Sequence, residues 1–343
     1  MEELYNRREQ IAARLEQYEE DARQWTSGCP DLLDYDTLLC LRADAEDVVR
    51  FCRSIKGGAR QLTTWLHKIT TPIRSNVPGI SWTKSTNPLS WAIPLLVAYF
   101  KLRSGYKLLS KGTTNRKQLK KIKEFQFFVM NLSLAHANTS GFNLCPFSTA
   151  GCAASCIGQN GNGLYPSVQI SRQLKARLFM LAPNRFIEMF SQDISRMVEE
   201  ARRSNLTPVL RPNAFSDIPW ERYIDFSRPM WDGLQVYDYT KIYKRLGNQH
   251  MTPNYDLTFS LSEKNEHHAK EALAMGFNVA TVFFTPEFPA TWNGHKVVDG
   301  DAHDFTFLHS PKHRARVRPV VIGLKAKGPT ARRDRSGFVQ LAG

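Results

Sequence analysis

The sequence predicts an α/β protein built on a parallel βα barrel, partial or complete, behind an N-terminal helical region. Three observations predict it. From residue 125 onward short apolar runs recur, most of them roughly 22 to 26 residues apart, the length of a strand–helix–strand unit. Amphipathic helical patterns fall between several of these runs. Polar residues gather where each run ends, and the carboxyl ends of parallel strands are where βα sheets and barrels place their sites. An open doubly wound sheet satisfies the first two observations, and the third favours the barrel.

Taken in order, residues 1 to 70 read as helical. Leu4, Ile11, Leu15 and Tyr18 fall at helical intervals, Asp44 to Ile55 and Gln61 to Ile69 continue the pattern, and Pro30 and Gly57-Gly58 break it. This region is expected to be a helical cap or partner-binding module. Residues 71 to 124 form a linker and a basic helical segment. Here a stretch rich in Pro, Ser, Thr and Asn leads into an apolar helix at Trp91 to Leu102 and a basic run from Lys111 to Lys123. Residues 125 to 343 are the barrel-like domain. Its expected strands are Phe125 to Leu132, Pro208 to Leu210, Leu234 to Tyr237, Leu257 to Leu261, Val279 to Phe284, Phe305 to Leu308 and Val320 to Leu324. Its expected helices are Ser167 to Met180, Asn184 to Ser204 and Glu266 to Met275, the second carrying an apolar stripe of Phe186, Ile187, Phe190, Ile194, Met197 and Val198.

The chain has 343 residues and a formal net charge of +14, which favours an anionic partner, nucleic acid first. The charged start lacks the apolar core of a secretory signal. The most apolar stretch, Leu89 to Phe100, contains Pro94 and is too short to cross a bilayer. A cytoplasmic protein with reduced cysteines is therefore expected, without a membrane partner, and ligation explains clustered cysteines better than disulfides do.

Three cysteines lie within twelve residues, Cys145-x6-Cys152-x3-Cys156, followed by a glycine-rich stretch with Gly158, Gly161 and Gly163. Three thiolates can hold a four-iron, four-sulfur (4Fe-4S) cluster and leave one iron open to another molecule. They can also hold structural zinc, with His136 as a fourth ligand. The glycines let backbone approach a cluster or an anionic cofactor closely, and Asn213 joins them as a candidate for cofactor binding. A thiol nucleophile is the weakest reading, since one cysteine suffices for that chemistry. Around the loop, Ser216, Asp217, Asp238, Lys241, Ser262 and Glu263 stand at strand ends as candidate catalytic residues.

Several separated motifs carry a resemblance. The cysteine triplet, Arg211-Pro-Asn-Ala-Phe-Ser-Asp-Ile-Pro-Trp-Glu221, Val236-Tyr-Asp-Tyr-Thr-Lys241, Ser260-Leu-Ser-Glu263 and Val298-Asp-Gly-Asp-Ala-His-Asp304 resemble the phage gene-product-eighty-eight family. So do Gly276 to Phe284 and Gly323 to Gly328, and the resemblance spans about residues 125 to 340. It implies a phage setting, with the cytoplasm of a bacterial host as the location, rather than a reaction. A looser resemblance is to radical S-adenosylmethionine enzymes, which bind a cluster through three cysteines after the first strand of a partial barrel. It implies that S-adenosylmethionine occupies the open iron. The spacing departs from the Cys-x3-Cys-x2-Cys of those enzymes, and no Gly-Gly-Glu stretch follows.

The C-terminal segment is strongly basic. Arg314, Arg316 and Arg318 would share one face of a strand, and with Arg332 and Arg333 they are candidates for binding nucleic-acid phosphates. Asp299, Asp301, His303 and Asp304 suggest either a turn or a divalent-metal site. Two functions are expected to compete: an iron–sulfur enzyme, radical-SAM-like, acting on a nucleic-acid or nucleotide substrate, and a basic, replication-associated nucleic-acid-binding protein with structural zinc. A nuclease using His267-His268 or the Asp299–Asp304 group is a third and weaker reading.

Overall fold

A computed structural model describes residues 100, 105–247, 253–309 and 318–341. The chain divides into two compact units, Met1–Pro72 with Asn76–Arg103, and Ile73–Ser75 with Ser104–Gly343. The expected helices of residues 1 to 70 lie outside the described residues, as do Arg314 and Arg316. The account below concerns the second unit.

That unit is a ten-stranded, mostly parallel sheet in the order β1-β2-β3-β4-β5-β6-β9-β8-β7, with β10 also pairing β6. The strands are β1 Leu109–Lys111, β2 Phe127–Leu132, β3 Thr207–Arg211, β4 Gln235–Thr240 and β5 Tyr255–Ser260. They continue as β6 Val279–Phe284, β7 Thr291–Trp292, β8 His295–Asp299, β9 Val321–Lys325 and β10 Val339–Leu341. From β2 to β6 the strands run parallel in consecutive order, the order of a barrel rather than the reversed order of a doubly wound sheet. The sheet does not close, so the expected barrel is not formed. Antiparallel β1 lies beyond β2 at one edge, and antiparallel β7 lies beyond β8 at the other. Strand β6 pairs β5 through Val279 and Ala280, and then β10 through Val282 to Phe284, so the C-terminus takes over where β5 ends.

Two long helices follow the cysteine loop, α3 Pro166–Leu181 and α4 Pro183–Arg203, after the short α1 Arg116–Ile122 and α2 Ala150–Ala154. Both long helices begin with proline at a first-turn position, where its missing N–H costs no bond. In α4 the buried set Phe186, Phe190, Ile194, Met197, Val198 and Ala201 forms one stripe, and the helix packs on β2 and β3. Its last turn carries Arg202 and Arg203, favourable at the negative end of the dipole, and Asn205 then turns the chain at φ 52°. The remaining helices are α5 Lys244–Gly247, α6 Glu266–Ala274, which packs on β5 and β6, and α7 Gly328–Arg332.

Parallel partners in register share a face, so Phe127, Val129 and Asn131 lie on the same side as Val209, Arg211, Tyr237 and Tyr239. The expected strand Phe305 to Leu308 is instead a 3-10 turn, Thr306–Leu308, and it covers this face. Phe305 meets the Phe127 ring edge-on at 5.0 Å and Phe307 meets Tyr237 at 5.6 Å. The run is apolar because it plugs the sheet rather than extending it. The opposite face lies under α4, on which α3 packs, and there Trp220 stacks on Phe186 and touches Phe179 and Phe190.

Candidate functional site

The cysteine loop leaves the carboxyl end of β2, the first parallel strand. Leu134 and Ala135 stay buried, and Ala137 turns the chain at φ 42°. The Leu144 N–H then closes onto the Ala137 carbonyl at 3.2 Å. That turn aims the Ala137 N–H at the Cys145 sulfur, 3.3 Å away, and the Cys145 thiol donates to the Phe215 carbonyl at 3.4 Å. Thr149 caps α2 by accepting the Cys152 N–H, and the Gly158 N–H is directed at the Cys156 sulfur. All three thiols are free and half-buried.

Burial pushes the Cys145 thiol up to about 12 and raises Cys156 as well; Cys145 also feels both other thiols, and Cys156 feels Cys152. Thiols held that far above neutral pH are poor nucleophiles, which counts against a catalytic free thiolate. A metal or cluster reverses this balance, because coordination removes the proton outright. Among the described residues no group of three or more His, Cys, Asp or Glu is gathered closely enough to hold a metal ion. The fit to a metal therefore rests on the chemistry of the donors: three thiols in one loop, two of them facing backbone N–H groups, with Lys241 and Arg172 both favouring charge on Cys156.

Residues from two other strand ends hold the loop, and Lys241 from a third stands beside it. Glu263, just past β5, accepts the Thr149 hydroxyl at 2.5 Å and the Gly151 N–H at 2.8 Å, fixing the start of the short helix that carries Cys152. Asp217, past β3, gives its N–H to the Leu144 carbonyl at 2.9 Å. Lys241, past β4, donates to the Ser260 hydroxyl at 2.8 Å and lies over the Phe338 ring. Arg172 of α3 stacks on Phe215 at 3.9 Å and donates to the Gly158 carbonyl at 2.9 Å. Glycine is required at 163, where a Cβ would come within 2.1 Å of the Gly158 carbonyl oxygen. His136 pairs its Nε2 with the Gln159 amide at 2.9 Å, and burial lowers its pKa.

Replacing Glu263 by alanine removes both loop contacts, worth about 1.5–3 kcal/mol together. Alkylation of Cys152 in the metal-free protein is then expected to accelerate by about tenfold or more, because local opening becomes cheaper by that amount. An unchanged rate, read by mass spectrometry of the Cys152 peptide, would show that the clamp is not what orders the loop.

Two largely buried polar networks link the strands and the segments that follow them. In the first, Asp238 accepts from the Asn213 N–H at 3.0 Å, the Asn213 amide at 2.7 Å and the Tyr255 hydroxyl at 2.6 Å. Asn213 Oδ1 in turn accepts from Ser216, Ile218 and Trp220. Arg245 grips Glu221 with two bonds of 2.9 and 2.8 Å and reaches Asp217 at 3.2 Å. In the second network Asp304 accepts from Arg211 at 2.7 Å, Tyr237 at 3.0 Å and Gln118 at 3.2 Å. Asp301 meets Lys117 at 3.3 Å and Lys327 at 2.8 Å. The carboxylates of Asp301 and Asp304, read as a possible divalent-metal site, are thus neutralised by lysine and arginine. His303 stacks on His309, and His268 on Tyr243.

The structure brings Cys145, Cys152, Cys156, Gly158, Asp217, Lys241 and Glu263 together at one end of the sheet. Gly163 packs on Gly158, and Gly161 supplies a turn at φ +54°. Asn213, Ser216 and Asp238 are buried and mutually bonded, so their part is to order the loop after β3. The Ser262 hydroxyl is buried without a hydrogen-bond partner. Arg318, Arg332 and Arg333 are exposed, and Arg332 ends α7. Arg172, Arg245 and Thr149 were missed by sequence reasoning. Thr149 carried a signal, since it stands three residues before Cys152 as a helix cap does; the two arginines carried none.

Fold and site together define a class: an α/β protein with an open, mostly parallel sheet and a thiol loop seated at the carboxyl ends of its strands. The particular family follows from the chain itself. The model of the Gene product 88 family matches residues 101–342, and the chain belongs to that phage family. No curated protein and no solved structure matches it. No helix among the described residues is long and apolar enough to cross a membrane.

Proposed function

We propose that this protein is an iron–sulfur enzyme, radical-SAM-like in plan, that acts on a nucleic-acid or nucleotide substrate. The observation that carries the reading is the position of Cys145, Cys152 and Cys156. They are three free thiols in one loop, directly after the first parallel strand of a barrel-ordered sheet, within one another's electrostatic reach. These three would hold a 4Fe-4S cluster, and the Ala137 and Gly158 N–H groups would donate to its thiolates, an arrangement that tunes such centres. When bound, a cluster with one open iron ligates a small molecule there and supplies it with an electron; the resemblance implies S-adenosylmethionine as that molecule.

The chain's own residues do the remaining work. Lys241 and Arg172 offset the negative charge that three thiolates bring. Glu263 and Asp217 hold the loop at two points, so the thiols are presented from a fixed frame. Lys241 and Ser262 are the strand-end groups with bonding capacity left for a ligand. The zinc reading draws on the same thiols, with the exposed Arg332 and Arg333 for nucleic acid.

Protein purified without oxygen is expected to be brown, with absorption near about 400 nm and about four irons and four sulfides per chain. Cys145→Ser, Cys152→Ser and Cys156→Ser are each expected to lose most of the iron and the colour. A colourless protein with one zinc, lost from the same variants, would overturn the cluster reading and leave the structural-zinc one.

A further inference from the structure

Four large apolar side chains are exposed on the cysteine loop and its exit: Phe147 at 56%, Ile157 at 52%, Leu164 at 62% and Tyr165 at 60%. A loop that meets only water has no reason to present them, and such patches mark binding surfaces. The C-terminal segment lies directly against this loop. A Cβ on Gly328 would come within 2.4 Å of Asn160, and one on Gly151 within 2.1 Å of Ser336. Cys152 itself packs on the cluster of Ala326, Ala331, Phe338 and Val339. That segment exposes Arg332, Arg333 and Arg335. Asp334, the acid among them, is turned inward, accepting from the Ser336 hydroxyl at 2.7 Å and the Val339 N–H at 3.0 Å.

We infer that the outer surface of the cysteine loop and the adjoining C-terminal segment form one binding face for single-stranded nucleic acid. Charge complementarity and ring exposure select this partner. Unpaired bases stack on exposed aromatic rings, whereas bases in a duplex are already stacked on one another. Guanidinium groups alongside track the phosphates. The chain's net charge of +14 favours the same polyanion. The inference rests on the proposed function only in sharing its substrate class, which it narrows to single strands, and it places that strand beside the thiols.

The test uses the full chain and fluorescence anisotropy with labelled oligo-dU and oligo-U of about 15 nucleotides, the span of one or two binding modules, and a duplex of equal length. Both single strands are expected to bind more tightly than the duplex, and the tighter of the two names the preferred sugar. Phe147→Ala and Tyr165→Ala should each weaken binding roughly tenfold at constant salt dependence. The pair Arg332→Gln and Arg333→Gln should lower the log–log salt slope by about 1.4, two phosphates' worth. The control pair Arg185→Gln and Arg203→Gln, exposed on α4, should change neither. Unchanged circular dichroism and metal content keep the variants interpretable.

Absence of single-strand binding at low salt overturns the inference. So does binding indifferent to both the aromatic and arginine pairs, or a dimer that Phe147→Ala dissolves. An iron-containing protein that fails here leaves the cluster reading standing. A zinc protein that passes loses the cluster reading and keeps this face.

Discussion

Arg245→Ala is expected to destabilise the protein by about 3–5 kcal/mol, the usual cost of removing one partner from a buried ion network. Arg245 is 3% exposed, and its guanidinium binds Glu221 through two bonds, Asp217 through one and the Tyr255 hydroxyl through another. Without it two largely buried carboxylates face each other uncompensated, beside a third on Asp238 that already shares Tyr255. Lysine at 245 should recover less than half of the loss, because an ammonium cannot reproduce the two-pronged contact with Glu221. Urea titration of the three proteins measures this. The loss should also reach the cysteine loop, since Asp217 ties Arg245 to the Leu144 carbonyl one residue before Cys145. Alkylation of Cys145, read by mass spectrometry, should therefore accelerate in Arg245→Ala before global unfolding begins. An unchanged rate would separate the network from the loop.

The parts of the fold that repeat over many residues were legible in the sequence. The helices expected at Ser167–Met180 and Asn184–Ser204 are observed at Pro166–Leu181 and Pro183–Arg203, and Glu266–Met275 at Glu266–Ala274. In the two long helices an apolar pattern over four or more turns leaves little choice of conformation, and the shorter one is bounded by Gly276. Strands β2 to β6 were legible because strands covered on both faces read as continuous apolar runs. The edge strands were not. His295–Asp299 mixes lysine, histidine and aspartate with two valines, and the two residues of β7 carry no period at all. Phe305 to Leu308 misled because burial alone makes a run apolar, and a plug over a sheet is as buried as a strand within it.

The site divides along a similar line. Three cysteines at close spacing announce themselves, and so do polar residues at strand ends. Their division of labour does not, because it depends on partners far away in the chain. Asp217, Asp238 and Glu263 look equivalent in sequence. In the fold Asp238 is sealed under Asn213 and Tyr255, Asp217 joins an arginine to the loop, and Glu263 clamps a helix start. Among many arginines nothing local marks Arg245 as buried or Arg333 as exposed.

Asp238 gives the protein a stability profile opposite to that of the buried Asp304. Burial is the largest influence on Asp238 and pushes its carboxyl up to about 7, against the pull of Arg245, Tyr255, Arg211 and Asn213. The unfolded chain releases that proton near the ordinary aspartate value of 3.8. Between these values the folded protein binds one more proton than the unfolded one, so stability falls as pH rises. The contribution is complete below about pH 4 and gone once pH passes 7, with a slope of up to about 1.4 kcal/mol per pH unit. Asp304 runs the other way. Burial raises its pKa, but Arg211, Lys117 and the Tyr237 hydroxyl together hold it below its ordinary value, so its contribution is present above about pH 4 and is lost on acidification. The two windows do not overlap, so a single variant separates them. In Asp238→Asn the amide oxygen, placed where Oδ2 stands, still accepts from the Asn213 amide and Tyr255; the amide nitrogen then faces the Asn213 N–H, a cost independent of pH, and nothing at 238 titrates. The decline from pH 4 to pH 7 should flatten in that variant while acid unfolding below pH 4 persists. Equal slopes in wild type and Asp238→Asn, measured by denaturant titration at each pH, would mean that Arg245 and the three donors keep Asp238 ionised throughout, and that the network is a fixed charge rather than a proton store.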